Sequence, residues 1–173
     1  MPNYITNTVC MKGIENLPLY DANDNFDFNK IILMPKELDI EEGSSGERNL
    51  MYYLSKKGTV SPDHFTGKRK DIAEKLLADM FFGLYPVFMC FERMKEIIKS
   101  GSIPDYEDGK LRVSNFMKYG HATWYGWCNE NWNTKWNAME TMIIDTNTIS
   151  FLTAWDSPSP IFEKLSSMYP SAK

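Results

Sequence analysis

The chain has 173 residues, 43% hydrophobic, 24% charged and 14% aromatic, with a formal net charge of −4 at pH 7. That length buries most of the surface an unfolded chain exposes, and the aromatic content excludes a core-less, disordered polymer. Cys10, Cys90 and Cys128 are odd in number and widely spaced, with only His64 and His121 as nitrogen partners. A disulfide framework and a zinc knuckle are therefore not expected, and three reduced, mostly buried thiols are. No run approaches the 18 or so apolar residues of a membrane helix, and the start of the chain lacks the basic and apolar regions of a signal peptide. The composition thus points to one domain over residues 1–173 in a reducing, cytoplasmic setting, with no membrane contact and no cofactor or metal motif.

Tyr4 to Lys12, with Ile5 and Val9 among β-branched and polar residues and Gly13 after them, is expected to be a first strand. Ile14 to Asn25 carries Pro18 and many Asn and Asp residues and reads as irregular. Lys30 to Met34 is apolar and stops at Pro35, whose ring favours an extended residue before it. Gly43 to Gly46 reads as a flexible break, and Glu47 to Lys57 as a short helix bearing Leu50, Tyr53 and Leu54. Asp71 is placed to cap a helix with Ile72, Leu76, Met80 and Leu84 on one side. A second helix follows from Val87 to Ser100, with Phe91, Met94 and Ile98 in its stripe and Gly101 after it. Pro104 to Gly109 reads as a polar turn, and Leu111 to Tyr119 as a helix ended by Gly120.

From His121 to Trp132 the period is helical, because Trp124, Cys128 and Trp132 fall at four-residue steps with Trp127 between them. It then changes to two: Trp136, Ala138 and Glu140 alternate with their neighbours, and Ile149, Phe151, Thr153 and Trp155 share one face of a following strand. Asp145 to Thr148 would be the loop of about four residues in a β-hairpin. Ser157-Pro-Ser-Pro160 supplies N-cap and first-turn chemistry for a last helix with Ile161, Leu165 and Met168. Trp124, Trp132 and Trp155 are expected to be mostly buried, since tryptophans at such spacings are core residues more often than a ligand box.

The segment Trp127-Cys-Asn-Glu-Asn-Trp132-Asn-Thr-Lys-Trp136-Asn-Ala138, followed by Phe151-Leu-Thr-Ala-Trp155 and a Pro-flanked helix, resembles the YubB-like (Api-type) ferredoxin-like domains encoded by phages and plasmids. Asn3 to Gly13 and Phe28 to Pro35 match the start of such domains. The resemblance implies an α+β, ferredoxin-like fold, an antiparallel sheet with helices packed on one face, and an accessory protein of a mobile element without an assigned activity. Where many such proteins have Trp-Gly-Thr-Lys-Trp, this chain has Asn133, which also tolerates a left-handed backbone. Relatives continue past the last helix into further strands, so a sheet ending at Lys173 is expected to keep an open edge, covered by a second copy or by the Ile14 to Asn25 loop.

Four sets of residues carry candidate function. Asp21, Asp24, Asp27, Glu37, Asp39, Glu41 and Glu42, against only Lys30 and Lys36, form an acidic quarter able to meet a basic channel on a partner by charge complementarity. Lys68, Arg69 and Lys70 are the candidate phosphate contacts. Trp124, Trp127, Trp132, Trp136 and Trp155 form the structural motif, with base stacking as its functional alternative. His121, Tyr125, Glu130 and Lys135 are the one set able to supply a proton acceptor, a donor and a cation for metal-free RNA cleavage. The residues favour binding over catalysis. Together with the resemblance they point to a counter-defence factor, such as an anti-CRISPR protein, that binds a host protein or nucleoprotein complex. The alternatives are a small endoribonuclease-like enzyme centred on His121 and a direct nucleic-acid binder.

Overall fold

In the computed structural model of the chain, the structure describes residues 3–56 and 104–171. The alternating, uncharged run Tyr4–Cys10 is a strand, β1, as its pattern requires. Two more strands, β2 (Met139–Asp145) and β3 (Thr148–Ala154), complete an antiparallel sheet in the order β1-β3-β2. The β1–β3 register is unbroken from Tyr4 opposite Ala154 to Cys10 opposite Thr148. Only Thr146 and Asn147 separate β2 from β3, so the hairpin turn is shorter than the four residues expected, because Asp145 and Thr148 already pair. Asn147 ties the turn to the end of β1: its carbonyl accepts from Met11 N (2.7 Å) and its side-chain oxygen from Gly13 N (2.7 Å). β2 starts at Met139 rather than Trp136, after a bent stretch in which Asn133 takes the left-handed backbone anticipated for it (φ 59°).

One face of this sheet is packed; the other is wet along β1 and β2, with Ser150 and Ala154 of the central strand buried between them. Val9, Ile149 and Ile143 lie in one row of the packed side, with Asn7 opposite Phe151 and Ile5 opposite Thr153 in β1 and β3. A buried polar pair pins that side, since Asn7 Nδ2 donates to Thr153 Oγ1 (2.8 Å) and Thr153 Oγ1 donates to the Asp156 carbonyl (2.7 Å). Phe151 gathers the aromatic core: Phe26, Phe28 and Phe162 all meet its ring, and Phe28 also meets Trp132 edge-on at 5.6 Å. The Lys30 to Met34 segment is not extended. Asp27 caps a 3-10 turn at Phe28–Lys30, accepting from Asn29 N, and this turn drives Phe28 into the core. Asn137 joins that turn to the approach of β2, accepting from Phe28 N (2.8 Å) and donating to Asp27 (2.7 Å).

The chain divides into two compact units, Met1–Pro35 with Trp127–Lys173, and Lys36–Gly126. The first holds the sheet and the last helix, Ser159–Met168, which places Ile161, Leu165 and Phe162 on the packed face. Pro160 takes the expected first-turn place in that helix. The N-cap position falls to Pro158, and no serine side chain caps it. This arrangement is an α+β, ferredoxin-like fold with the packing on one face of an antiparallel sheet.

Within the second unit lie α1 (Ser44–Lys56) and α2 (Tyr106–Tyr119). Gly43 to Gly46 is no flexible break, because Ser44, Ser45 and Gly46 already form the first turn of α1. Pro104 to Gly109 is likewise not a free turn: the Asp105 carboxylate accepts from Glu107 N and Asp108 N and starts α2 at Tyr106. Gly120 closes α2 at φ 79°, as expected. The two helices meet through glycines: a Cβ at Gly109 would fall on the Asn49 carbonyl, and one at Gly46 on the Arg112 guanidinium. Arg112 is only 2% exposed and donates to Asp108 (2.8 Å) and to the Glu41 carbonyl (2.6 Å). Asn49 completes the network by donating to the same Asp108 carboxylate (2.8 Å). The helices expected at residues 71–84 and 87–100 lie outside the described residues.

Candidate functional site

The tryptophan helix forms where its spacing puts it, Trp124–Trp132, and is α3 here. Trp132 is buried and its indole N–H donates to the Ile32 carbonyl (2.9 Å), so its one polar atom is satisfied inside the core. Trp127 is buried against it, the two rings meeting edge-on at 5.6 Å. Trp124 is only half-buried, with Tyr125 edge-on at 5.7 Å, and Trp136 is half-buried under the Lys135 ammonium at 4.5 Å. The expectation for Trp155 fails outright. Alternation would continue Ile149, Phe151 and Thr153 inward, but Trp155 sits at φ 75° and is 57% exposed. Strand geometry ends at Ala154, where Trp155 N donates to the Asn3 carbonyl (2.8 Å) and the backbone turns away.

Most carboxylates of the acidic quarter are held by their own chain. Asp21 accepts from Asn25 N and Asn23 N, which pull its carboxyl below the usual range. Asp27 caps the Phe28–Lys30 turn. Glu37 is held at about 2, first by its own backbone N–H and then by Lys118 (3.0 Å) and Tyr119. Glu42 accepts from the Thr123 hydroxyl. Asp24, Asp39 and Glu41 are exposed. Asp21, Asp24 and Asp27 belong to the sheet unit, and Glu37, Asp39, Glu41 and Glu42 to the helical unit.

His121 and Tyr125 belong to the helical unit, while Glu130 and Lys135 belong to the sheet unit, so neither unit by itself holds the proposed acid–base set. Around His121 the loop is fixed by Asn115, whose side chain donates to the carbonyls of Glu37 (2.7 Å) and Ala122 (3.2 Å). Lys68, Arg69 and Lys70 lie outside the described residues, as do His64 and Cys90. Among the described residues no group of His, Cys, Asp and Glu has metal-binding geometry, and no helix is long and apolar enough to cross a membrane.

What the spacing of residues did not single out is the wet face of the sheet. Thr6 lies opposite Leu152 and Thr8 opposite Ser150; across the other pair Leu152 meets Met139 and Ser150 meets Met142. Tyr4, Thr6, Thr8 and Cys10 are exposed along β1, and Met142 and Ile144 along β2, Met142 at 63%, while Ile143, on the packed side of β2, is exposed as well. Three consecutive exposed large apolar residues on an outer strand are a departure from ordinary surface composition. Beside them are Glu140 and Asp145 in β2, both exposed, and none of the three strands carries a lysine or arginine.

Comparison with known families agrees with this half of the molecule. No curated protein and no solved structure matches the chain significantly. Residues 131–173, which contain the hairpin and the last helix, match the family model described as a ferredoxin-like domain in Api92-like protein.

Proposed function

We propose that this protein acts by stoichiometric binding to a macromolecule of a host cell, as an accessory protein of a phage or plasmid and in the manner of a counter-defence inhibitor such as an anti-CRISPR protein. The observation that carries the reading is the surface of the sheet: large apolar side chains stand in water next to carboxylates that have no ion-pair partner among the described residues. Exposed apolar area of this kind is stabilised only when another surface covers it. The exposed Asp39 and Glu41 of the helical unit add a charge that favours a cationic partner and speeds encounter with it. The match to a ferredoxin-like domain of Api92-like proteins supports the fold of the binding unit and is neutral about its target.

The test has two arms. Incubation with labelled RNA and DNA, with and without chelator, should leave both nucleic acids intact. Affinity purification from a host lysate should return one partner in a fixed ratio to the bait. Cleaved nucleic acid in the first arm, abolished in His121→Ala, would replace binding by catalysis.

A further inference from the structure

A protein that works by covering a partner needs a surface whose chemistry selects that partner, and the wet face of the sheet has one. Its centre is apolar and hydroxylic, with Leu152 and Met142 flanked by Tyr4, Thr6, Thr8 and Ile144. Its β2 border is acidic, with Glu140 and Asp145 exposed, and no cation lies on any of the three strands. A polyphosphate backbone is repelled by such a face.

Resting on the binding function above, we propose that this face docks an amphipathic helix of a partner protein, one whose apolar stripe is flanked by lysine or arginine. Three strands about 4.8 Å apart make a platform about 10 Å between its outer strands, close to the width of one helix with its side chains, about 10–12 Å. The helix stripe would rest on Met142 and Leu152, and its flanking cations would reach the carboxylates of β2, which is the pattern of charge complementarity that selects partners. Trp155 stands at the Tyr4–Ala154 end of the platform in a strained backbone conformation that puts its ring in solvent instead of the core. A bulky residue at positive φ is held there only by over-determined surroundings. Here they are the Trp155 N to Asn3 carbonyl bond and the Thr153 hydroxyl on the Asp156 carbonyl.

A second copy of the chain fits less well. Antiparallel pairing of two β2 strands about Met142 and Ile143 sets Glu140 of each copy across from Asp145 of the other, and like charges directly opposite destabilise a strand pair. The register of β2 also breaks between Met139 and Met142 and again between Ile143 and Asp145, so its edge offers little regular backbone for pairing.

The experiment uses the full chain and a labelled synthetic helix of leucine and lysine, about 15 residues and so about 22 Å long, to span seven-residue strands. Saturable one-to-one binding is expected by fluorescence anisotropy. A scrambled peptide of the same composition, and one with glutamate in place of lysine, should each bind at least about tenfold more weakly. Met142→Asp, at an exposed position, should cost a similar factor with an unchanged melting temperature. The double variant Glu140→Lys, Asp145→Lys should exchange preference and take the glutamate peptide. Equal binding of the scrambled peptide, or indifference to all three substitutions, overturns the proposal; so does a dimeric mass in sedimentation that Met142→Asp converts to monomer, which would give the face to a second copy. A lysate partner held equally by wild type and Met142→Asp would sink this surface and leave the binding function standing. Cleaved RNA with no partner would sink the function itself.

Discussion

The two units solve the problem of a core in opposite ways. In the sheet unit the interior is aromatic, with Phe26, Phe28, Phe151 and Trp132 in edge-to-face and tilted contacts and the Trp132 N–H satisfied by one carbonyl. In the helical unit the α1–α2 contact encloses a guanidinium that packs on Gly46 and is held by Asp108 and the Glu41 carbonyl. Aromatic packing is non-directional and degrades by volume lost, whereas a buried cation depends on geometry and fails when one partner is removed. The first unit should therefore lose most when volume is removed from its interior, and the second when one member of its buried ion pair is removed.

The largest effects break the comparison at its two centres. Trp132→Ala removes a large buried ring of the sheet unit and should cost about 3–5 kcal/mol in denaturant unfolding. Arg112→Ala leaves Asp108 without its cation and should cost about 3–5 kcal/mol as well. The double variant Arg112→Met, Asp108→Leu separates the mechanisms, because removing both charges should recover much of the loss, whereas no second substitution of that kind restores Trp132→Ala. If the double variant is as unstable as the single, Arg112 acts through its bulk and the contrast between the units disappears.

A smaller effect tests the helix contact itself. Gly109→Ala drives a methyl onto the Asn49 carbonyl and should cost about 1–3 kcal/mol as α1 and α2 move apart. Smaller still is the pH response of the exposed ion pair. Glu37 titrates at about 2 instead of 4.5. A carboxyl whose folded value is depressed contributes stability that is complete above its unfolded value and is lost as pH falls toward the folded one. Glu37→Gln should therefore flatten the decline in stability between about pH 4.5 and pH 2 and change little at neutral pH, as read from denaturation curves across that range. An unchanged acid limb would show that Lys118 and Tyr119 do not hold Glu37 in solution.

Much of the fold was legible because the period of the chain is honest where one face is buried. Tyr4 to Cys10, the Ile149 to Ala154 run and the Trp124 to Trp132 helix follow from alternation or four-residue spacing, and Gly120 from the need for a left-handed cap. Errors arose where local chemistry overrode the period. Asp27 capped a 3-10 turn over Phe28–Lys30 at the head of an apolar segment, Asp105 started a helix inside an apparent loop, and Gly46 proved to be a contact rather than a hinge. Trp155 belonged to the alternating set by spacing alone, and only the positive φ at that residue removes it. The acidic quarter was visible as charge. That Asp21 and Asp27 serve a local turn and a cap was not, nor that Asp27, Glu37 and Glu42 meet Asn137, Lys118 and Thr123 far along the chain. The wet face stayed hidden for a related reason: alternation separates two faces of a strand and is silent about which one the rest of the chain covers.

The central claim, binding through that face, is tested most directly by hydroxyl-radical footprinting of the protein with its purified partner. Met142 and Met117 are similarly exposed in the free protein, at 63% and 61%, and lie on β2 and α2, so one reports on the face and the other serves as an internal reference. Saturating partner should suppress oxidation of Met142 and leave Met117 unchanged. Oxidation of Met142 at the free-protein rate in the saturated complex would contradict the account.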